Sequence, residues 1–333
     1  MSDNVLDNLL QKYIKYSPDH LTLCWHGGEP MLAGLPFYKK VVKKIALFGG
    51  SKISTYHLLQ TNGSLMTNEF AKFFKKNKFY VGVSIDGPKE FHSKQRFLNN
   101  GKSSFPLAMG AVKTLRKNGI EPGIICTITR KNYKNARDIL DFFVKNKLLN
   151  LSFSPVAYVD SRKKDGKDLV LSSKDWFEFL RDIFYAWLSY NNSNIQIREL
   201  NEIIAWRLGK PLNLCSSGKA CLHWFSVSPF GDISACEYYN YDKSFGNITQ
   251  STFQNIFRSK QFKDFEETQL FVNPICKECE FYNLCGNGCS RLRRSDTGFD
   301  PKGIHTYCKQ RKSIYYEINN CFNRIKTGKG VNG

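Results

Sequence analysis

The sequence has no long hydrophobic run and no secretory signal. No stretch of about 18 apolar residues, the length that spans a membrane, occurs in it. The opening residues MSDNVLDNLLQKYIKY lack the basic start, the apolar stretch and the small-residue cleavage site of a signal peptide. These absences argue against a membrane span and against secretion. We therefore expect a protein of the reducing cytoplasm that has no membrane partner.

Acidic residues are scarce relative to basic ones. The 29 Asp and Glu residues face 49 Lys and Arg residues, which gives a formal net charge of +20. Three interpretations stay open: lysines that only solvate surface helices, an acidic peptide partner, or nucleic acid. Because the sequence contains no recognised nucleic-acid module, we expect no nucleic-acid partner.

Residues 1–155 alternate between helix-like and strand-like patterns. Five apolar segments predict strands, and they read LTLCW, ISTYHLL, KFYVGVSI, GIICTIT and LNLSFSP. Helical patterns separate them, one of them with Thr67 as its predicted N-cap. Strands joined by helices predict an α/β fold with a parallel sheet, either open or curled into a barrel.

Polar or glycine-rich residues follow every predicted strand. In chain order these segments read HGGEP, QTNG, SIDG, TRKN and SPVAY. In βα barrels, the loops after the carboxyl ends of the strands form the active face. The sequence therefore predicts one shared site at this edge. Cys24 and Cys126 lie inside the apolar strands, so we expect both thiols to be buried.

Eight of the 11 cysteines fall between residues 215 and 308. They are Cys215, Cys221, Cys236, Cys276, Cys279, Cys285, Cys289 and Cys308. In a reducing compartment, such spacings are typical of metal ligands rather than disulfides. Soft thiolates suit iron–sulfur clusters or zinc, and only Cys276 and Cys279 have the C-x2-C spacing that a zinc ribbon shows twice.

The cysteines form a group of three followed by a group of five. Two four-thiolate sites therefore need one cysteine of the second group to join the first. The segment CLHWFSVSPFGDISAC predicts a hairpin that turns at Pro229–Asp232 and brings Cys236 back toward Cys221.

This pattern, including Gly231, resembles the SPASM domain that follows the catalytic barrel of radical SAM maturases. The resemblance implies an iron–sulfur domain that binds two auxiliary 4Fe–4S clusters. It assigns one cluster to Cys215, Cys221, Cys236 and Cys289, and the other to Cys276, Cys279, Cys285 and Cys308.

The N-terminal part resembles the radical SAM barrel in the same register. WHGGEP is similar to the glycine-rich loop that holds the methionine ammonium of S-adenosylmethionine. Gly27 and Gly28 would allow close backbone approach, and Glu29 would pair with the ammonium.

Two further segments extend this resemblance. VSIDGP resembles the segment in which a serine, here Ser84, meets the ribose, and Arg96 would pair with the cofactor carboxylate. Through Gln60 and Asn62, QTNG would line the same mouth.

The chain departs from that family in containing no C-x3-C-x2-C run, which holds the catalytic cluster of radical SAM enzymes. The resemblance implies a partial (βα)6 barrel that lacks its first strand. It implies a third, catalytic 4Fe–4S cluster only for a full-length form of the protein. We expect this chain not to cleave S-adenosylmethionine. A misassigned start or fragment, a degraded gene and a cluster-less binding or electron-transfer protein are the three explanations.

The predicted organisation has four parts. A partial radical SAM barrel spans 1–170, linking helices span 171–214, a cysteine-rich α+β SPASM domain spans 215–321 and a flexible tail spans 322–333.

The resemblance implies a radical SAM oxidoreductase that matures a protein or a ribosomally made peptide. A sulfatase Cys or Ser would become formylglycine, or a peptide would be crosslinked. Glu237, where anaerobic sulfatase maturases carry an aspartate, would be the catalytic base. The implied partners are the peptide or protein substrate and an electron donor such as flavodoxin or ferredoxin. The alternative is a non-catalytic iron–sulfur protein for electron transfer or peptide binding.

Overall fold

The computed structural model describes residues 1–50, 53–156, 167–217, 220–236, 244–295 and 298–326. Its helices are α1 (Asp3–Tyr16), α2 (Gly34–Gly49), α3 (Asn68–Lys76), α4 (Lys89–His92), α5 (Phe105–Lys117), α6 (Ala136–Lys145), α7 (Ser173–Tyr190), α8 (Arg198–Arg207), α9 (Phe253–Arg258), α10 (Lys260–Leu270), α11 (Pro274–Lys277), α12 (Tyr282–Cys285) and α13 (Cys308–Lys326). Its strands are β1 (His20–Trp25), β2 (Ser54–Thr61), β3 (Phe79–Ser84), β4 (Gly123–Ile128), β5 (Asn150–Pro155), β6 (Gln196–Ile197), β7 (Ser226–Val227), β8 (Asp232–Ser234), β9 (Gly246–Asn247), β10 (Arg293–Ser295), β11 (Gly298–Phe299) and β12 (Ile304–His305).

The N-terminal half is built on a parallel sheet. Six strands pair in the order β1-β2-β3-β4-β5-β6, so each strand lies beside its neighbour in sequence. The predicted parallel α/β fold is confirmed. The five-strand prediction missed β6, whose Ile197 pairs with Leu151 of β5. Two residues are too few to give a periodic pattern.

Helices cover one face of this sheet. Tyr38 of α2, Phe74 of α3 and Ile139 of α6 pack in one core with the buried residues of the strands. In β4, Cys126 is buried in that core, as predicted. Because successive strand residues point to opposite faces, Gln60, Ser84, Thr127 and Ser152 lie on the face away from these helices.

Cys24 also lies on that opposite face. Its neighbours Leu21 and Leu23 are buried under the helices, whereas the Cys24 side chain is exposed. The prediction that Cys24 is buried is therefore wrong. An apolar strand sequence does not say which of its two faces is covered.

Local signals place several elements as the sequence predicts. The Thr67 side chain accepts a hydrogen bond from the Phe70 N–H and begins α3. The predicted hairpin is confirmed, since β7 and β8 pair antiparallel around a turn that contains Gly231. Gly231 has φ +95°, and a Cβ there would lie 2.9 Å from Asn247 Oδ1.

Helix α1 contributes to two hydrophobic cores. Leu6 and Leu10 pack with β1 and α2, where Leu21 and Val41 are buried. Val5 and Leu9, in contrast, pack in a core of the C-terminal part that contains Ile233, Phe245, Phe253, Phe262 and Phe265. The first helix thus contacts both the sheet domain and the cysteine-containing part.

The C-terminal helix α13 packs against α7. The rings of Phe322 and Phe184 lie 6.1 Å apart between their centroids. Helix α13 continues to Lys326, into the predicted tail, and residues 327–333 lie outside the described residues. The predicted domain limits stay predictions. Of the described helices, none is long and apolar enough to cross a membrane.

Candidate functional site

The HGGEP loop follows β1 at the carboxyl edge of the sheet. Gly27 has φ +87° and Gly28 has φ +57°, values that residues with a Cβ rarely adopt. A Cβ on Gly28 would meet no atom within 4 Å. The backbone conformation therefore requires glycine here, and the space beside Gly28 is open.

Glu29 is fixed between this loop and the end of β2. Its Oε1 accepts hydrogen bonds from Thr61 Oγ1 at 2.8 Å and from the Met31 N–H at 3.0 Å. Its Oε2 accepts one from the Asn62 N–H at 2.8 Å. The carboxylate is thus held by three donors, and its two oxygens have further lone pairs for a cationic ligand.

Gln60 and Ser84 lie side by side on neighbouring strands. Gln60 Nε2 donates to Ser84 Oγ at 3.0 Å. Gly82 leaves the space for this contact, because a Cβ at residue 82 would lie 2.1 Å from Gln60 Oε1. Gly82 was not among the predicted site residues, although a glycine inside a strand is a signal of close approach.

Arg96 is held at the same edge by Asp86. Nε lies 2.6 Å from Asp86 Oδ2, and Nη2 lies 3.1 Å from Asp86 Oδ1. Nη2 also donates to Thr127 Oγ1 at 2.9 Å. Asp86 is 1% exposed, so its carboxylate is a fixed support for the guanidinium. Asp86 stands in the quoted SIDG segment, but the sequence analysis gave it no role.

A cleft of about 420 Å³ opens beside Glu29 and Asn62. The Asn62 side chain is fixed by a hydrogen bond that its Oδ1 accepts from the Ser64 N–H at 2.8 Å. The other wall consists of residues 97–100, and Leu32 and Leu65 complete the lining. The structure therefore places the predicted cofactor-binding residues along one edge of the sheet, with an open cleft at its first strands.

The structure brings the first predicted cysteine set together. Burial first, and then the negative charges of the Cys289, Cys215 and Cys236 thiolates, together raise the pKa of Cys221 to about 12. Cys289 comes from the second sequence group. Cys289 therefore interacts electrostatically with the three cysteines of the first sequence group. It is the thiol of the second group that completes the first set of four.

The second predicted set lines one cavity. Its cysteines are Cys276, Cys279, Cys285 and Cys308. Burial first, and then the negative charges of the Cys285, Cys308 and Cys279 thiolates, together raise the pKa of Cys276 to about 11. Metal binding removes the thiol proton, so a bound cation would offset this cost.

The donor chemistry of these two groups fits iron–sulfur clusters. A 4Fe–4S cluster takes four thiolates, one for each iron. Within the described ranges, no group of three or more His, Cys, Asp or Glu side chains is spaced for a single metal ion. Glu237, the predicted base, lies outside the described residues. The roles of the individual site residues stay predictions.

Comparisons with known families agree with these two regions. Residues 1–143 match the family model of the Radical SAM superfamily. Residues 215–280 match the model of SPASM, an iron–sulfur cluster-binding domain.

Curated relatives cover most of the chain. A cysteine-type anaerobic sulfatase-maturating enzyme of Clostridium novyi is 28% identical, over 95% of this chain and 85% of that protein. A serine-type anaerobic sulfatase-maturating enzyme of Bacteroides thetaiotaomicron is also 28% identical, over 93% of this chain and 78% of that protein.

Solved structures are similar over the same extent. Native anSMEcpe with bound AdoMet and Cp18Cys peptide has a TM-score of 0.87 at 29% identity, over 99% of this chain and 91% of that one. SuiB of Streptococcus suis bound to its precursor peptide SuiA has a TM-score of 0.58 at 16% identity, over 90% of this chain and 68% of that one, and so shows the fold alone. The cofactors of this chain are S-adenosylmethionine and 4Fe–4S clusters. The chain therefore has a radical SAM fold followed by a SPASM iron–sulfur domain.

Proposed function

We propose that this chain acts in an oxidoreductase that matures a protein or peptide side chain, as a sulfatase-maturating enzyme does. The observation that carries the proposal is the likeness, over 99% of the chain, to anSMEcpe holding AdoMet and a peptide. Conversion of a sulfatase Cys or Ser to formylglycine is the favoured reaction, since relatives of both the cysteine and the serine type match. Peptide crosslinking is the other maturation within this class.

Residues at the sheet edge would bind S-adenosylmethionine, which when bound supplies the chemistry that removes a hydrogen atom from the substrate. Glu29 would accept the methionine ammonium, and the Gly27–Gly28 backbone would let it approach closely. Arg96 would pair with the carboxylate. Asp86 supports this role because it fixes the guanidinium in place. Ser84 would meet the ribose, and Gln60 and Asn62 would line the mouth.

The two thiol groups would hold the auxiliary clusters, which when bound accept the electron that the substrate gives up. Cys215, Cys221, Cys236 and Cys289 would hold one cluster, and Cys276, Cys279, Cys285 and Cys308 would hold the other. Glu237, next to Cys236, would take the substrate proton. Its side chain is one methylene longer than the aspartate of the resembled maturases. The longer side chain would suit a different substrate or a different substrate pose.

An electron donor such as flavodoxin or ferredoxin would supply reducing equivalents. The formal net charge of +20 supports an acidic redox partner, since opposite charges speed encounter. A non-catalytic electron-transfer or peptide-binding role is the second candidate. The observation that favours it is that no C-x3-C-x2-C run occurs in the sequence.

The test uses two proteins: this chain, and a fusion that places a C-x3-C-x2-C segment of a radical SAM enzyme before Met1. Both are reconstituted anaerobically and incubated with S-adenosylmethionine, a reductant and a sulfatase peptide. Versions of the peptide carry Cys, Ser or Ala at the target position. We expect the fusion to form formylglycine from Cys or Ser, as measured by mass spectrometry. Peptide binding by this chain without turnover by the fusion would favour the non-catalytic role.

A further inference from the structure

Arg311, in the first turn of α13, lies where the two thiol groups approach each other. Its side chain lines the same cavity as Cys276, Cys279, Cys285 and Cys308. Its Nη2 also donates to the carbonyl oxygen of Ser216 at 3.3 Å. Ser216 directly follows Cys215 of the first group. One guanidinium therefore contacts the surroundings of both groups.

Gly288 shows how closely the guanidinium approaches the first group. This residue precedes Cys289 and has φ +60°. A Cβ at position 288 would lie 2.3 Å from Arg311 Nη1. Glycine is therefore needed here for space as well as for conformation. Arg311 rests against the backbone beside two cysteines of the first group while it faces the thiols of the second.

Arg311 has no carboxylate partner among the described residues. Its Nε donates to Tyr315 Oη at 3.0 Å, and its guanidinium also contacts the Ser216 carbonyl and lies over the Tyr315 ring. A guanidinium stays charged at any physiological pH. A partly buried charge without an opposite charge is costly, so this arrangement calls for a nearby anion. Among the described residues, Cys285 and Cys308 are close enough to Arg311 to interact with its charge.

We propose that Arg311 is a positioning residue whose positive charge balances the negative charge of both cysteine-held clusters. This inference rests on the ligand assignment made under the proposed function. A cation near a cluster stabilises the reduced, more negative form, because net charge around the cluster sets its reduction potential. Arg311 would thus raise the potential of the auxiliary clusters and join the two ligand loops.

Arg207 provides a matched control. It ties α8 to α13, since its Nη1 donates to Asn319 and its Nη2 to Asn323 Oδ1 at 2.7 Å. It does not line the cysteine cavity. Arg207→Gln therefore removes the same charge and a similar helix contact away from the thiols.

The experiment compares Arg311→Gln, Arg311→Lys and Arg207→Gln with the unchanged chain, all anaerobically reconstituted. Iron content, circular dichroism and a redox titration followed by electron paramagnetic resonance are measured. We expect Arg311→Gln to shift at least one cluster to a lower midpoint potential. Arg311→Lys should shift the midpoint potential much less than Arg311→Gln does, and Arg207→Gln should leave it unchanged.

The outcomes separate the two levels of inference. If the unchanged chain binds no iron, the ligand assignment fails and the role of Arg311 fails with it. If iron binds and Arg311→Gln keeps the original potentials, only the Arg311 inference is overturned. It is also overturned if Arg311→Lys shifts the potential as far as Arg311→Gln does. Loss of iron from Arg311→Gln alone, at unchanged helix content, would support the linking role.

Discussion

Single residues at the sheet edge are held by contacts that their motifs do not contain. Glu29 stands in the HGGEP segment, but the groups that fix it are Thr61 and the Asn62 N–H at the end of the next strand. Arg96 likewise depends on Asp86, ten positions earlier in the chain. The sequence predicts which residues would face the cofactor, and those roles stay predictions. It could not predict their supports, because those arise only when neighbouring strands align.

Gly82 gives a direct test of this edge. In Gly82→Ala the new methyl group would lie 2.1 Å from Gln60 Oε1, so Gln60 must move away from Ser84. We expect a loss of stability of about 1–3 kcal/mol, typical of overpacking, and weaker binding of S-adenosylmethionine. Chemical denaturation and isothermal calorimetry measure the two effects.

Gly123→Ala is the matched control for that variant. Gly123 pairs with Gly82 on the next strand, and a Cβ there meets no atom within 4 Å. This variant should change stability by less than about 1 kcal/mol. Equal losses in the two variants would contradict the steric account.

Glu199 gives a prediction for pH dependence. Its carboxylate is 13% exposed and accepts hydrogen bonds from Ser152 Oγ at 2.9 Å and from the Phe153 N–H at 3.0 Å. Burial raises the pKa of Glu199 above its ordinary value of 4.5, against the lowering effects of Arg198 and these hydrogen bonds. The folded state therefore binds the proton more tightly than the unfolded state. Stability from this group is full below pH 4.5 and is lost as the pH rises through the raised pKa.

Glu199→Gln removes this titration and can still pair with both partners. The difference in unfolding free energy, variant minus unchanged chain, should therefore increase in favour of the variant as the pH rises above 4.5. Denaturation at a series of pH values measures the slope, and a constant offset between the proteins does not affect it. A flat difference for Glu199→Gln would refute the prediction.

At the scale of elements, the periodicity of apolar residues was sufficient to predict the long helices and strands. The predicted helix over Phe105 to Lys117 matches α5, and the strands β1 to β5 fall where apolar segments stand. The two-residue strand β6 and the exposure of Cys24 were not predictable. Both depend on what packs beside them rather than on their own sequence.

The β7–β8 hairpin is the element that returns Cys236 to the other thiols. Gly231→Ala meets two penalties there, a φ of +95° and a contact of 2.9 Å with Asn247 Oδ1. We expect this variant to lose about 1–3 kcal/mol of stability and part of its iron. Unfolding experiments and iron analysis after reconstitution test both effects.

Gly101→Ala separates the two penalties. Gly101 has φ +75°, and a Cβ there meets nothing within 4 Å, so the conformational cost acts alone. We expect this variant to keep its full iron content. If Gly231→Ala also kept all of its iron, the hairpin would not be needed to position Cys236.

At the scale of the whole molecule, the two four-thiol groups combine segments far apart in the chain. Because the cysteines form groups of three and five, one cysteine of the second group has to join the first to give two sets of four. The resemblance assigned Cys289 to that position. In the structure this thiol lies among Cys215, Cys221 and Cys236. The position of Arg311 beside both thiol groups could not be predicted, because nothing in its local sequence indicates it.

These groups predict the behaviour of the intact 333-residue chain. After anaerobic reconstitution it should bind about eight irons, four for each set of thiolates. Because it has no C-x3-C-x2-C run, it should release no 5′-deoxyadenosine from S-adenosylmethionine. Iron analysis, visible absorption and chromatography measure these outcomes.

Two cysteine variants sharpen that test. Cys285→Ser should lose about four irons, whereas Cys321→Ser should keep all of them, because Cys321 is buried with the apolar core. A zinc-only preparation without charge-transfer absorption would count against the clusters. Deoxyadenosine above a no-protein control would count against the expected inactivity.

Helix α1 has a consequence for electron movement. Its buried residues pack partly against the sheet domain and partly in the core that contains Ile233 of β8. Lys12 of the same helix also donates to the Ile248 carbonyl at 2.5 Å. A hinge opening between the two halves would have to pull this shared helix out of one of them. A helix packed into both parts resists any change in their separation, so under the proposed function it would also keep the distance between the bound cofactor and the clusters constant.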